Sequence, residues 1–224
     1  MLQLCQHRIR STRDDELRGI EDRHAYRIAK RAFDIVFSAA AIVGTSPILL
    51  VAAAAIKADD PDAPVVFAQQ RVGMHGATFT MHKLRTMVAD AEQHLDELRP
   101  LNEKDGPVFK IKHDPRVTKI GRVLRRTSID ELPQFWDVFL GNMSVVGPRP
   151  ALPREVEEYD ERAKKRLLVK PGVTCYWQAS PNRDDLSFDE WVALDLRYVR
   201  ECGPLVDLVL IIRTVGAVLL MQGN

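Results

Sequence analysis

Two adjacent carboxylates, Asp130 and Glu131, stand in the company of arginines: Arg125 and Arg126 come just before them, and the rigid turn Gly147-Pro148-Arg149-Pro150 follows. Neighbouring ionised acids beside guanidinium groups suit phosphoryl chemistry. One carboxylate attacks phosphorus, the other helps to hold Mg²⁺, and the arginines neutralise the phosphate oxygens. Acids at the start of a helix are routine, so the pair alone does not decide for catalysis; its neighbours do. Other catalytic patterns are missing from the chain. There is no glycine-rich phosphate loop, no HExxH and no GxSxG. The six histidines form no metal-ligand cluster, and Asp34 is followed by Ile35-Val36-Phe37 rather than by a second aspartate, so it is read as a helix-end or interface residue.

The element that must present the two acids is an amphipathic helix, because Leu132, Phe135, Trp136, Phe139 and Met143 fall at helical spacing and end near Gly141-Asn142. Ser128 with Glu131 fits a capping box, while Pro133 is an alternative first helical residue. Either start puts Asp130 and Glu131 at the amino end, where the helix dipole keeps a carboxylate ionised.

Around this helix, Val65–Phe67 and Thr78–Met81, separated by Gly73 and Gly76, predict a small hairpin. Met87–Leu98 reads as a helix stopped by Pro100, Val108–Ile111 as an extended run bounded by Pro107 and Pro115, and Arg116–Leu124 as a basic helix. The alternating charges of residues 154–166 predict a solvated helix. Lys170-Pro171-Gly172 marks a turn, Trp177, Gln178 and Arg183 lie in a polar loop, and Asp189–Tyr198 is a helix with Trp191, Leu194 and Tyr198 on its core stripe.

The chain has 224 residues, 28% of them charged and 46% hydrophobic, with a mean hydropathy of −0.18. That is one domain of ordinary size, neither disordered nor polytopic. A formal charge of +1 gives no reason to expect a nucleic-acid partner. The basic stretch 104–126 is either an anion-binding surface or a solvated face, and with only Phe109 among its bases it has little for nucleobases to stack on. Cys5, Cys175 and Cys202, odd in number and widely spaced, point to a reducing compartment.

Residues 1–29 are polar and mixed in charge, with no secretory signal. Ile35–Ile56 then carries no charge at all; at about 1.5 Å per residue a helix of that length covers roughly 33 Å, enough for a bilayer core. Pro47 sits near its middle after Ser46, and both flanks are basic: Arg23, Arg27, Lys30 and Arg31 before, Lys57 after. Both ends therefore prefer the cytoplasm. A helix–break–helix that returns to the same face satisfies them, and a kinked transmembrane helix is the alternative. Leu205–Leu220 is a second, weaker apolar stretch with Pro204 at its start. It is expected to pack on the core rather than lie at the membrane interface.

Taken in order, Lys30-Arg31-x-Phe33-Asp34, Ser46-Pro47, Gln70-Arg71-Val72-Gly73, Lys83-Leu84-Arg85-Thr86-Met87, Asp114-Pro115-Arg116, Ser128–Gln134 and Val146–Pro150 resemble the bacterial sugar transferases, the monotopic polyprenyl-phosphate phosphoglycosyl transferases. The match runs from about Tyr26 to Leu220. The resemblance implies transfer of a sugar phosphate from a UDP-sugar to undecaprenyl phosphate with release of UMP, the first membrane step of exopolysaccharide synthesis. It implies Asp130 as the nucleophile that forms a covalent phospho-sugar intermediate, and Glu131, with Asp130, as the site of Mg²⁺. Lys83, Arg85 and Arg149, and more weakly Arg71, become candidates for phosphate or nucleotide contacts within the Pro148-Arg149-Pro150 setting. Ser46-Pro47 becomes the break of a re-entrant helix.

The expected fold is α+β and mostly helical, a monotopic membrane protein with a Pro-broken re-entrant helix and a small β-hairpin. Its parts are a polar lead (1–29), the re-entrant helix (30–57), and a catalytic domain (58–224) on the cytoplasmic face of the inner membrane, in contact with membrane lipids and with downstream glycosyltransferases. With residues 1–29 before the re-entrant segment, a minimal form of the family is expected. The family pattern P-G-x-T-G-x-x-Q-x-S-G-R is altered here: Cys175 replaces a glycine and Pro181-Asn182 stands for another. That change bears on the roles of Gln178 and Arg183 and on the choice of sugar. Two readings of other classes remain open: a catalytically silent membrane scaffold of a polysaccharide-assembly complex, and a peripheral module binding RNA or lipid headgroups.

Overall fold

A computed structural model describes residues 24–180 and 185–219. Its first element, α1, runs from His24 to Asp59 and continues through Pro47 without interruption. A proline in a helix leaves the carbonyl four residues back without its donor. Here that carbonyl belongs to Val43, and the Ser46 hydroxyl donates to it at 2.8 Å, while Thr45 donates to Ala41 O at 2.7 Å. The Ser-Pro pair is therefore a local repair as well as a kink signal. Only Asp34, Ser38, Ala52 and Ile56 of α1 are buried. Phe37 packs on Phe135, and Ala52 and Ile56 join Leu84 and Leu124 in one cluster, so both halves of the helix dock on the same body. Between them Val43, Leu50 and Val51 lie open, each more than 70% exposed.

The hairpin forms as expected. Strand β1 (Val66–Val72) pairs antiparallel with β2 (Thr78–Leu84) around the turn at Gly73–Gly76. Beyond it, Met87 bridges to Val117 and the Val88 N–H donates to Arg116 O at 3.0 Å. These bonds hold the backbone extended, so the helix expected from Met87 shrinks to α2, Leu95–Leu98, which runs on through Pro100 as a 3₁₀ turn. Val108–Ile111 makes no ladder. Helix α3 (Lys119–Arg126) starts later than expected, at Thr118, whose hydroxyl accepts from Gly121 N.

After a 3₁₀ turn at Ile129–Glu131 comes α4 (Gln134–Leu140), ending at Gly141. Its buried face is Gln134, Asp137 and Val138, whereas Trp136, Phe139 and Leu140 lie outward. The apolar stripe read from spacing is thus only partly inward: Met143 is buried and Leu132 and Phe135 are half-buried, whereas Trp136 and Phe139 are exposed. Asp137 can occupy the inner face because its carboxylate accepts from the His82 N–H at 2.9 Å and meets the ring Nδ1 at 2.7 Å.

Strand β3 (Ser144–Val146) pairs in parallel with β4 (Gly172–Thr174), a second sheet that the sequence did not announce. Gly147 and Gly172 cross so closely there that a Cβ on either would lie about 2 Å from the other segment's backbone. The stretch 154–166 is not one solvated helix. It is α5 (Pro153–Glu157) and α6 (Glu161–Lys164) leading into a 3₁₀ turn, with Glu155 and Arg166 buried.

Helix α7 (Phe188–Glu201) buries Trp191 and Tyr198 as expected. Helix α8 (Pro204–Leu219) departs from expectation, because of its large apolar side chains Leu210 is buried while Leu205, Leu208, Val209, Ile212, Val215 and Val218 are exposed. Its hold on the core combines buried Leu210, with Val206 and Ile211 packed beside it, and a set of polar contacts. Asp207 accepts from Tyr26 at 2.9 Å, Lys30 at 2.8 Å and Tyr198 at 2.7 Å, and Thr214 meets Thr174 hydroxyl to hydroxyl.

Candidate active site

Asp130 sits in the 3₁₀ turn between α3 and α4, reached through a strained residue. Ser128 adopts the left-handed conformation (φ 56°, ψ 18°) and its side chain caps nothing, so the expected capping box is absent. The turn leaves Asp130 only 6% exposed. Burial pushes its carboxyl up to about 6; Lys83 opposes the shift, Glu131 adds to it, and Arg125 opposes it. One 3₁₀ turn supplies little dipole and desolvation dominates, so the carboxyl is raised rather than lowered, although at about 6 it is still mostly ionised at neutral pH.

Glu131 is less enclosed. Its Oε1 accepts from Lys83 Nζ at 2.7 Å, and both side chains are about a third exposed. Lys83 reaches it from β2, a strand that the neighbouring His82–Asp137 contact ties to α4. Arg125, on the last turn of α3, has its Nε donated to Thr86 Oγ1 at 3.0 Å, and Asp130 and Glu131 lie within its electrostatic reach. Burial lowers its pKa, against those two acids.

A second pair of guanidinium groups comes from β1 and from the turn after β3. Arg71 is buried, donating from Nη1 to Pro150 O at 3.0 Å and from Nη2 to Gln69 Oε1 at 2.7 Å. The Val72 N–H donates to Ala151 O at 2.9 Å, which fastens β1 to the Pro148-Arg149-Pro150 turn. Burial and then Arg149 push the Arg71 pKa down to about 9, with Glu155 and Glu131 opposing. Arg149 is half-buried between buried Pro148 and Pro150, with Nη1 3.2 Å from Glu155 Oε2. Lys83, Arg125 and Arg71 thus lie within electrostatic reach of one or both acids, with Arg149 beside Arg71.

Other expected site residues lie elsewhere. The Arg85 Nε donates to Pro64 O at 2.8 Å, closing the hairpin's open end. Gln178 Oε1 accepts from Cys175 Sγ at 3.2 Å, and Arg183 falls outside the described residues. Trp177 is buried rather than in a polar loop, stacked on Trp191 with ring centroids 4.4 Å apart, in the cluster that holds Cys175. Cysteine in place of glycine has become core. Ser46 and Pro47 remain in α1. Thr86, Asp137 and Glu155 support site residues and were not singled out from the sequence, because their partners are 39, 55 and 6 residues away with no periodic signature.

Among the described residues no group of three or more His, Cys, Asp or Glu could form a complete protein metal site. Two carboxylates nonetheless fit Mg²⁺, which is commonly held by one or two carboxylates together with substrate phosphates.

The family profile for bacterial sugar transferases matches residues 25–221. The galactosyl transferase CpsE of Streptococcus agalactiae is 42% identical over 202 residues, covering 90% of this chain and 44% of CpsE. The exopolysaccharide production protein ExoY of Sinorhizobium fredii is 38% identical over 201 residues, covering 88% of each chain. The undecaprenyl-phosphate galactose phosphotransferase of Salmonella typhimurium is 39% identical over 204 residues, covering 88% of this chain and 42% of its own length. The chain therefore spans less than half the length of two of these relatives and most of the third. With a match over nearly its whole length, the chain belongs to the bacterial sugar transferase family.

Proposed function

We propose that this protein transfers a sugar phosphate from a UDP-sugar to undecaprenyl phosphate, releasing UMP. The observation that carries the reading is the buried Asp130, adjacent to Glu131 and set among Lys83, Arg125, Arg71 and Arg149. In the first half-reaction an ionised Asp130 oxygen attacks the sugar-bearing phosphorus. The bond from that phosphorus to the bridging oxygen breaks, and UMP leaves with the oxygen and the bonding electrons. In the second, a phosphate oxygen of undecaprenyl phosphate attacks the same phosphorus and Asp130 leaves as a carboxylate. No proton need move in either step when Asp130 starts ionised. Lys83 and the arginines neutralise charge on the phosphate oxygens as they rearrange. Glu131, with Asp130, would hold Mg²⁺, which when bound supplies further neutralisation of the diphosphate.

Membrane attachment follows the same logic. The open apolar midsection of α1 supports contact with a lipid surface. Although α1 runs unbroken through Pro47, the basic flanks at both ends and the Ser46-Pro47 pair are the grounds for reading it as re-entrant, in a monotopic protein at the cytoplasmic face of the inner membrane. There it would contact membrane lipids, draw on undecaprenyl phosphate and hand the lipid-linked sugar to downstream glycosyltransferases of exopolysaccharide synthesis. The relatives' names refer to the lipid carrier and to exopolysaccharide production. The test is UMP release by nanodisc-embedded protein over a panel of UDP-sugars with Mg²⁺, with and without undecaprenyl phosphate. Lipid-dependent turnover that is lost in Asp130→Asn supports the reading; folded, membrane-bound protein that releases UMP from no donor counts against it.

A further inference from the structure

Glu155 is 1% exposed, on α5, five residues after the Pro148-Arg149-Pro150 turn. Its Oε2 accepts from the Leu152 N–H at 2.9 Å and from Arg149 Nη1 at 3.2 Å, and Arg71 is its next cationic neighbour. Although burial pushes its carboxyl up, Arg149, the Leu152 N–H and Arg71 outweigh burial and hold it below the usual range. Arg71 and Arg149 repel each other, and the Arg71 Nε is buried with no hydrogen-bond partner among the described residues. Two guanidinium groups thus share one buried carboxylate, Arg149 by direct contact and Arg71 through its charge.

We propose that Glu155 is a positioning residue: it holds Arg149 against its repulsion from the buried Arg71, so that the half-buried Arg149 guanidinium stands ready for the donor's diphosphate. This rests on the functional reading above. Glu155 itself touches no substrate, since its oxygens are already engaged by Arg149 and by the backbone. A planar guanidinium donates to two phosphate oxygens at once only in the right orientation, and fixing that orientation beforehand removes an ordering cost from binding.

The sign of one substitution separates positioning from mere charge. Glu155→Gln makes the site more positive, so an effect of charge alone tightens anion binding. It also removes the ionic hold on Arg149, so positioning predicts the reverse. UDP and inorganic pyrophosphate binding would be measured by calorimetry on wild type, Arg149→Ala, Glu155→Gln and the double variant, all in nanodiscs, with melting temperatures alongside. We expect Glu155→Gln to weaken UDP binding about tenfold, and Arg149→Ala to add less than about twofold on top of it, because the two residues act as a unit.

Equal or tighter binding by Glu155→Gln, or effects that multiply in the double variant, would overturn the proposal. If Glu155→Gln does not fold, Glu155→Asp keeps the charge on a shorter arm: weaker binding at unchanged net charge is expected, and unchanged affinity overturns the idea. A wild type that binds UDP yet turns over no UDP-sugar defeats the functional reading while leaving this test intact. A wild type that binds neither anion defeats both.

Discussion

Lys83 Nζ lies 2.7 Å from Glu131 Oε1, and Lys83 is also the foremost charge opposing the upward shift of Asp130. One ammonium on a hairpin strand thus serves both acids, and a ligand diphosphate entering the site competes with Glu131 for it. Because both partners of the ion pair are about a third exposed, Lys83→Met should change stability by less than about 1 kcal/mol. Its effect belongs to turnover: kcat/KM for the donor should fall about 100-fold. UMP release and thermal melting on the same preparation check this, and a lowered melting temperature with unaltered turnover would contradict it.

Asp130 links activity to pH. With its carboxyl lifted to about 6, the fraction able to attack phosphorus falls as pH drops through that value. A pH–rate profile for the first half-reaction should therefore lose activity on its acid limb near 6.

The same shift has a stability consequence of opposite sense. The folded pKa lies above the ordinary 3.8, so folding favours the protonated acid. That contribution is fully present below the unfolded value and is lost as pH rises through about 6. At pH 7.5, Asp130→Asn should be inactive yet more stable than wild type by about 1–3 kcal/mol, with the gap narrowing towards pH 4. Urea denaturation at the two pH values measures it.

Gly121 is where α3 meets the loop after β2. A Cβ there would lie 2.0 Å from the Thr86 carbonyl oxygen, which already accepts from the Thr118 N–H at 3.1 Å. Backbone must move, so Gly121→Ala should cost about 3 kcal/mol or more. Thr86 also holds Arg125 through its hydroxyl. Any folded fraction should therefore show a raised KM for the donor, which steady-state kinetics would reveal.

Asp34 fastens α1 to β3 by accepting from the Ser144 hydroxyl and the Val145 N–H, both at 3.0 Å and both buried. Asp34→Ala strands two buried donors and should destabilise by about 2–4 kcal/mol; Asp34→Asn, which keeps one acceptor, should cost less. Equal losses in chemical denaturation would argue against this bonding pattern.

The sequence alone determined what depends on neighbours along the chain. The hairpin came from two β-prone runs around Gly73 and Gly76, α1 from a chargeless run too long for an ordinary core helix, and the candidate chemistry from two adjacent acids near a proline-framed arginine. Tertiary structure decided what depends on partners far away. Asp137 takes a buried position on α4, leaving Trp136 and Phe139 outside, because a backbone N–H 55 residues earlier accommodates its carboxylate. Arg166 leaves a charged, solvated-looking stretch for the interior because Asp195 awaits it on α7. Asp207 ties α8 down through polar groups, with Leu210 buried beside it, while most of the helix's large apolar side chains face outward. In each case a buried polar group is held by a specific distant partner, even where single atoms such as Arg166 Nε and Asp195 Oδ1 find none among the described residues. Periodicity, which records burial of apolar residues, carries no trace of such a partner until the chain has folded.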